Sequence, residues 1–100
     1  MAALLIAPQA ANAASKDYTK SRRCGSYEFH SSKTYAYSKK NDGGTCAGHA
    51  WVRAKDNLGR ISDWRHHANF TSVPSPGGSA YYVTTWHKSQ ENEDAWVWNP

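Results

Sequence analysis

From residue 46 to residue 55, small apolar positions alternate with larger or charged ones. Cys46, Gly48, Ala50, Val52 and Ala54 share one parity; Ala47, His49, Trp51, Arg53 and Lys55 share the other. A period of two predicts a strand buried on one face. Asp56-Asn57-Leu58-Gly59 follows. Asp and Asn close turns through their own backbone, and Gly accepts the positive φ of a tight hairpin. Residues 60–64 resume an extended pattern, so residues 45–64 read as the central hairpin of the fold.

Loop length decides which side chains of that hairpin meet. A four-residue loop sets Lys55 opposite Arg60, Ala54 opposite Ile61 and Trp51 opposite Trp64. Two indoles and Arg53 then share the face opposite Ala50, Val52 and Ala54. A three-residue loop with Gly59 as a bulge sets Val52 opposite Trp64 and Arg53 opposite Asp63, and Trp64 becomes core. The first register is preferred because it pairs Ile61 with Ala54.

Weaker alternation predicts strands over residues 25–30, with Tyr27 and Phe29 on one side, and over 33–38, with Tyr35 and Tyr37 together. Ser31-Ser32 and residues 39–44, KKNDGG, are turn signals. Residues 80–86, AYYVTTW, form a strand rich in aromatic and β-branched residues, and 95–98 a last short strand that pairs back on it. Residues 65–79 carry two prolines and two glycines and read as the longest loop. Residues 87–94 read as a polar loop. About six short strands with no amphipathic helix predict an all-β fold, a small antiparallel β-sandwich or partly open barrel.

Residues 1–13 carry a short apolar run, a helix breaker at Pro8 and Ala11-Asn12-Ala13, the back half of a truncated secretory signal peptide. The apolar run is too short to span a bilayer, so no transmembrane anchor is expected. Residues 14–23 lack periodicity and read as a flexible basic arm leading to a single domain over residues 24–100. Export predicts that Cys24 and Cys46, the two cysteines of the chain, form a disulfide. The expected localisation is secreted.

The net charge is +4, and eleven of the twelve Lys and Arg residues lie between Lys16 and Arg65. A solvated basic surface or attraction to an anionic partner accounts for that bias. Export argues against nucleic acid as that partner. No phosphate-cradling loop, nucleophile elbow or zinc-protease motif is present, so neither catalysis nor a cofactor is expected. His30, His49, His66, His67 and His87 have no metal-ligand spacing and read as surface residues, with no metal expected.

Leu58 and Ile61 are the only leucine or isoleucine beyond residue 6, while five Trp and six Tyr carry the apolar area. A sandwich this small has a thin core and cannot hide all those rings. The candidate contact residues are Trp51, Arg53, Trp64, Tyr81, Trp86 and Trp96. Exposed rings beside cations suit sugar stacking or contact with a protein or membrane interface.

Tyr35-x-Tyr37-Ser38, His49-Ala50-x-Val52, Gly59-Arg60-x-Ser62 and Ala80-Tyr81-Tyr82 together resemble the lactococcin-like family of small secreted bacteriocins. The chain also resembles, more broadly, small secreted proteins of actinomycetes. The bacteriocin resemblance covers about half of the chain beyond the leader, and the two cysteines lie outside its pattern. It implies a signal peptide, a small β-sandwich and interference with cell-wall synthesis at the surface of susceptible bacteria.

The expected function is a secreted, non-catalytic protein acting on an envelope component or glycan of another cell, bacteriocin-like. One alternative is a carbohydrate-binding module using Trp51 and Trp64. Another is an inhibitor of a secreted enzyme presenting residues 65–79 as an inserted loop.

Overall fold

The computed structural model describes residues 15–100. The leader assigned to residues 1–13 lies outside the described residues. Eight strands run in the order β1 (Ser15–Arg22), β2 (Gly25–Ser32), β3 (Ala36–Lys40), β4 (Ala50–Asp56), β5 (Arg65–His67), β6 (Phe70–Val73), β7 (Tyr82–Lys88) and β8 (Trp96–Trp98). They form two four-stranded antiparallel sheets, β1-β2-β3-β6 and β5-β4-β7-β8. The all-β sandwich read from the alternation is therefore the fold, with eight strands rather than six and one Cys24–Cys46 disulfide.

The alternation in β4 does what its period predicts. Ala50, Val52 and Ala54 are buried while Trp51, Arg53 and Lys55 lie half-buried on the outer face. Tyr27 and Phe29 on β2 and Val73 on β6 supply most of the remaining large apolar side chains that are fully buried. The interior divides into two apolar clusters. One holds Ala36, Val52, Ala54, Val73 and Tyr82; the other holds Tyr27, Phe29, Cys46 and Ala50, with Cys24 and Trp96 packed against it.

A polar group completes the interior. His87 is fully buried, with Nδ1 3.0 Å from Ser38 Oγ and 3.1 Å from the Tyr37 carbonyl oxygen, and Nε2 2.8 Å from Thr85 Oγ1. Thr85 also bonds Ser31 across the sheets at 2.7 Å, and Ser38 Oγ donates to the Trp51 carbonyl at 2.7 Å. Each of these buried side chains has a partner, which removes most of the cost of taking it out of water. His87 is thus interior, not the surface residue of a polar loop that the sequence led one to expect.

The disulfide ties the β1–β2 turn to the 41–49 connection. Two glycines let those backbones meet: a Cβ on Gly44 would stand 2.8 Å from the Cys24 carbonyl oxygen, and one on Gly25 2.9 Å from the Gly44 Cα. The loop closed spans 22 residues, a constraint on the unfolded chain of about 3 kcal/mol in the entropy model.

Four expectations change. Residues 15–22 are not a flexible arm but β1, paired along its whole length with β2. The 65–79 stretch is not one long loop, because it holds β5 and β6, and β6 crosses to the opposite sheet to pair with β3. An inserted inhibitory loop over 65–79 therefore loses its structural premise. Ser32 does not sit in the turn but ends β2. Its hydroxyl accepts from the N–H groups of Thr34 and Tyr35, and the next strand starts at Ala36.

The fourth concerns the central hairpin. Near the turn Lys55 bridges Ile61, the register of the shorter loop rather than the preferred one. Asp56 sets that turn: Oδ1 accepts from the N–H groups of Leu58 and Arg60, and Oδ2 from Arg60 Nε. Desolvation pushes the Asp56 carboxyl up, and the bonds from Arg60 and Leu58 more than reverse it, holding its pKa below the ordinary value. Further on, Val52 pairs with Arg65 and Trp51 with His66, one residue out of step with the turn. The extra residue between Ile61 and Arg65 carries Trp64 onto the Trp51 face, where the other register had placed it.

Candidate functional site

Cross-strand pairing builds the outer face of the β5-β4-β7-β8 sheet. Arg53 on β4 lies opposite Trp86 on β7, and Trp51 lies opposite Lys88. Directly opposed side chains in a sheet stand close enough to touch, so each pair joins an indole to a cation. Trp64, from the segment before β5, completes the row. The Arg53 guanidinium lies 4.7 Å from the Trp86 ring centre and 4.7 Å from that of Trp64. The Lys88 ammonium lies 4.4 Å from Trp64 and 5.2 Å from Trp51.

The result is a ladder: Trp86, Arg53, Trp64, Lys88, Trp51. His66 extends it, stacked on Trp51 at 4.0 Å, and His49 Nδ1 meets His66 Nδ1 at 2.9 Å. Each cation–π contact contributes roughly 0.5–2 kcal/mol according to exposure. All five tryptophans are half-buried, none wholly covered. Trp51 Nε1 and Arg53 Nε are buried and have no hydrogen-bond partner among the described residues.

At the His49 end the ladder borders an open cleft of about 420 Å³ lined by Gly48, His49, Trp51, His66 and Glu91. The Lys88 ammonium donates to the Glu91 carbonyl at 2.8 Å, which anchors the loop on that side.

Four of the six candidate contact residues, Trp51, Arg53, Trp64 and Trp86, thus come together. The other two do not join them. Tyr81 precedes β7 at the far turn, where its N–H donates to Asn57 Oδ1 and Lys33 lies over its ring. Trp96 is paired opposite His87 and packs along the edge of the interior, stacked on Tyr18 at 5.0 Å and against Phe29 and His87. Trp98 continues that stack at 6.0 Å with Lys16 over it. These rings close the sandwich between its β1 and β8 edges.

The opposite outer face holds a second aromatic group: His30, Tyr35, Tyr37 and Phe70. Tyr37 donates to Glu28 at 2.6 Å, and burial with that carboxylate pushes its phenol well above the ordinary value. His30 meets Asp17 at 2.5 Å. There Tyr37 and His30 each meet a carboxylate, whereas indoles on the ladder face pair with cations. The alternation of Tyr35 and Tyr37 signalled this group; the part played by Phe70 needed β6.

Ser38 and His87 touch, but both are fully buried and closed to a substrate. Among the described residues no group of three or more His, Cys, Asp and Glu side chains lies close enough to hold a metal ion. Among them, too, no helix is long and apolar enough to cross a membrane. Comparison of the chain with protein-family models, curated proteins and solved structures found no match.

Proposed function

We propose that this protein is an exported, non-catalytic module that acts at the envelope of another cell, in the manner of a bacteriocin. Its contact surface in this reading is the outer face of the β5-β4-β7-β8 sheet. The supporting observation is the unbroken Trp86–Arg53–Trp64–Lys88–Trp51 ladder. Cations attract the phosphates and carboxylates of an envelope, and indoles suit the boundary where such groups meet apolar chains. Held against one another, these side chains have little rotamer freedom left to lose on contact. The net charge of +4 and the disulfide fit the same setting.

The ladder fits neutral-sugar stacking less well. Trp51 and Trp64 meet edge to face at 79°, and two cations already cover Trp64, so the pair makes no open coplanar platform. A glycan would enter by the cleft beside Trp51 instead.

The test incubates purified, oxidised protein with bacterial envelopes and with growing cells of a broad panel. Salt-sensitive co-sedimentation together with growth inhibition in some strains is the expected result. Failure to sediment with any envelope at low salt would remove the reading.

A further inference from the structure

The histidine pair at the end of the ladder borders the contact surface just described and supports a further, distinct function there. His49 stands just before β4 and His66 on β5; both are exposed, and β4–β5 pairing brings them together. Their Nδ1 atoms face each other at 2.9 Å. Imidazole nitrogen binds divalent transition metals at about 2.0–2.1 Å, so two nitrogens 2.9 Å apart are close enough to share one ion. Among divalent first-row ions an imidazole pair binds Cu(II) most tightly, ahead of Ni(II) and Zn(II).

We infer that His49 and His66 form a two-imidazole site for a divalent transition-metal ion, Cu(II) before Zn(II). The adjoining cleft of about 420 Å³ leaves room for the water or other small ligands that complete the coordination. Glu91 lines the same cleft, and the Lys88 ammonium donates to its backbone carbonyl. Two positional features make the pair a chelate rather than two independent surface histidines. The disulfide and the β4–β5 ladder hold the backbone on either side, and stacking on Trp51 at 4.0 Å fixes the His66 ring.

That stacking also supplies the readout, because a paramagnetic Cu(II) ion on His66 quenches the adjacent Trp51. Titrating the oxidised full chain with Cu(II) should quench part of the indole emission, saturating at one equivalent, with nitrogen coordination in the electron paramagnetic resonance spectrum. Zn(II) should bind more weakly and compete with it. Replacing either ligand, His49→Ala or His66→Ala, should weaken Cu(II) at least as much as the roughly tenfold that loss of an outer-shell partner costs. His67→Ala and His30→Ala should leave the titration unchanged, and the near-ultraviolet circular dichroism of each variant checks that the fold is intact. Quenching that does not saturate, or that survives both ligand substitutions, would overturn the inference and leave a pair that only shares a hydrogen bond.

Discussion

His87 is the residue whose environment departs furthest from what its position in the sequence suggests. Burial outweighs the help it receives from the Tyr37 carbonyl and lowers its pKa from 6.5 to about 3. The sign of the consequence follows from proton uptake. Above pH 6.5 both folded and unfolded chains hold a neutral ring, and stability does not change on this account. Between pH 6.5 and about 3 the unfolded chain takes up a proton that the folded chain refuses, so stability falls as the pH drops. The slope is about 1.4 kcal/mol per pH unit. Urea unfolding at successive pH values between 7 and 4 should show that loss; a flat profile would contradict the buried placement. Asp56 acts in a lower window, since its depressed carboxyl stabilises the fold at neutral pH and stops doing so only on acidification below the ordinary carboxylate range.

At the scale of elements, the ladder joins two neighbouring strands and the segment before a third into one unit. The Arg53 guanidinium has two aromatic partners, so truncating it and truncating Trp64 remove a shared contact. A double-mutant cycle on Arg53→Leu and Trp64→Leu should give a coupling of about 1 kcal/mol, measured by denaturant unfolding. Strict additivity would mean that the cation and ring are neighbours without being partners.

What could be read from the sequence here follows the kind of signal each element carries. The Ala50-Val52-Ala54 alternation marked β4, and the aromatic and β-branched run marked β7, because their buried faces are apolar or their residues favour strands. β1 was hidden because Ser15–Arg22 is solvated on nearly every side chain; pairing with β2 makes it a strand, not its own pattern. β6 was hidden by the prolines and glycines that follow it, although Thr71 and Val73 alternate inward. The inward faces of β2, β3 and β7 carry Ser31, Ser38, Thr85 and His87, and a hydrophobic period cannot mark a buried position filled by a polar residue. Of the site, four of the five ladder residues were readable as types and Lys88 was not, and the place of Trp64 among them depended on one extra residue between Ile61 and Arg65. The His49–His66 contact depended on β5.

The whole molecule is a thin sandwich held by two devices besides its core. One is the stack of Tyr18, Trp96 and Trp98 that shuts one side. The other is the disulfide. Reducing it, or replacing both Cys24 and Cys46 by Ser, should cost about 3 kcal/mol, read as a drop in the urea midpoint. A domain whose net stability is of the usual ~5–15 kcal/mol depends heavily on such a link.

The two outer faces differ in chemistry, and that difference gives the most direct test of the contact-surface reading. Lys88 stands on the ladder face. Lys39 stands on the opposite one, 3.8 Å from Glu28. Envelope co-sedimentation should be measured at low salt for the wild type, Lys88→Glu and Lys39→Glu, with circular dichroism to confirm folding. Binding lost in Lys88→Glu and kept in Lys39→Glu is the predicted result. Equal loss in both, or loss in Lys39→Glu alone, would contradict it.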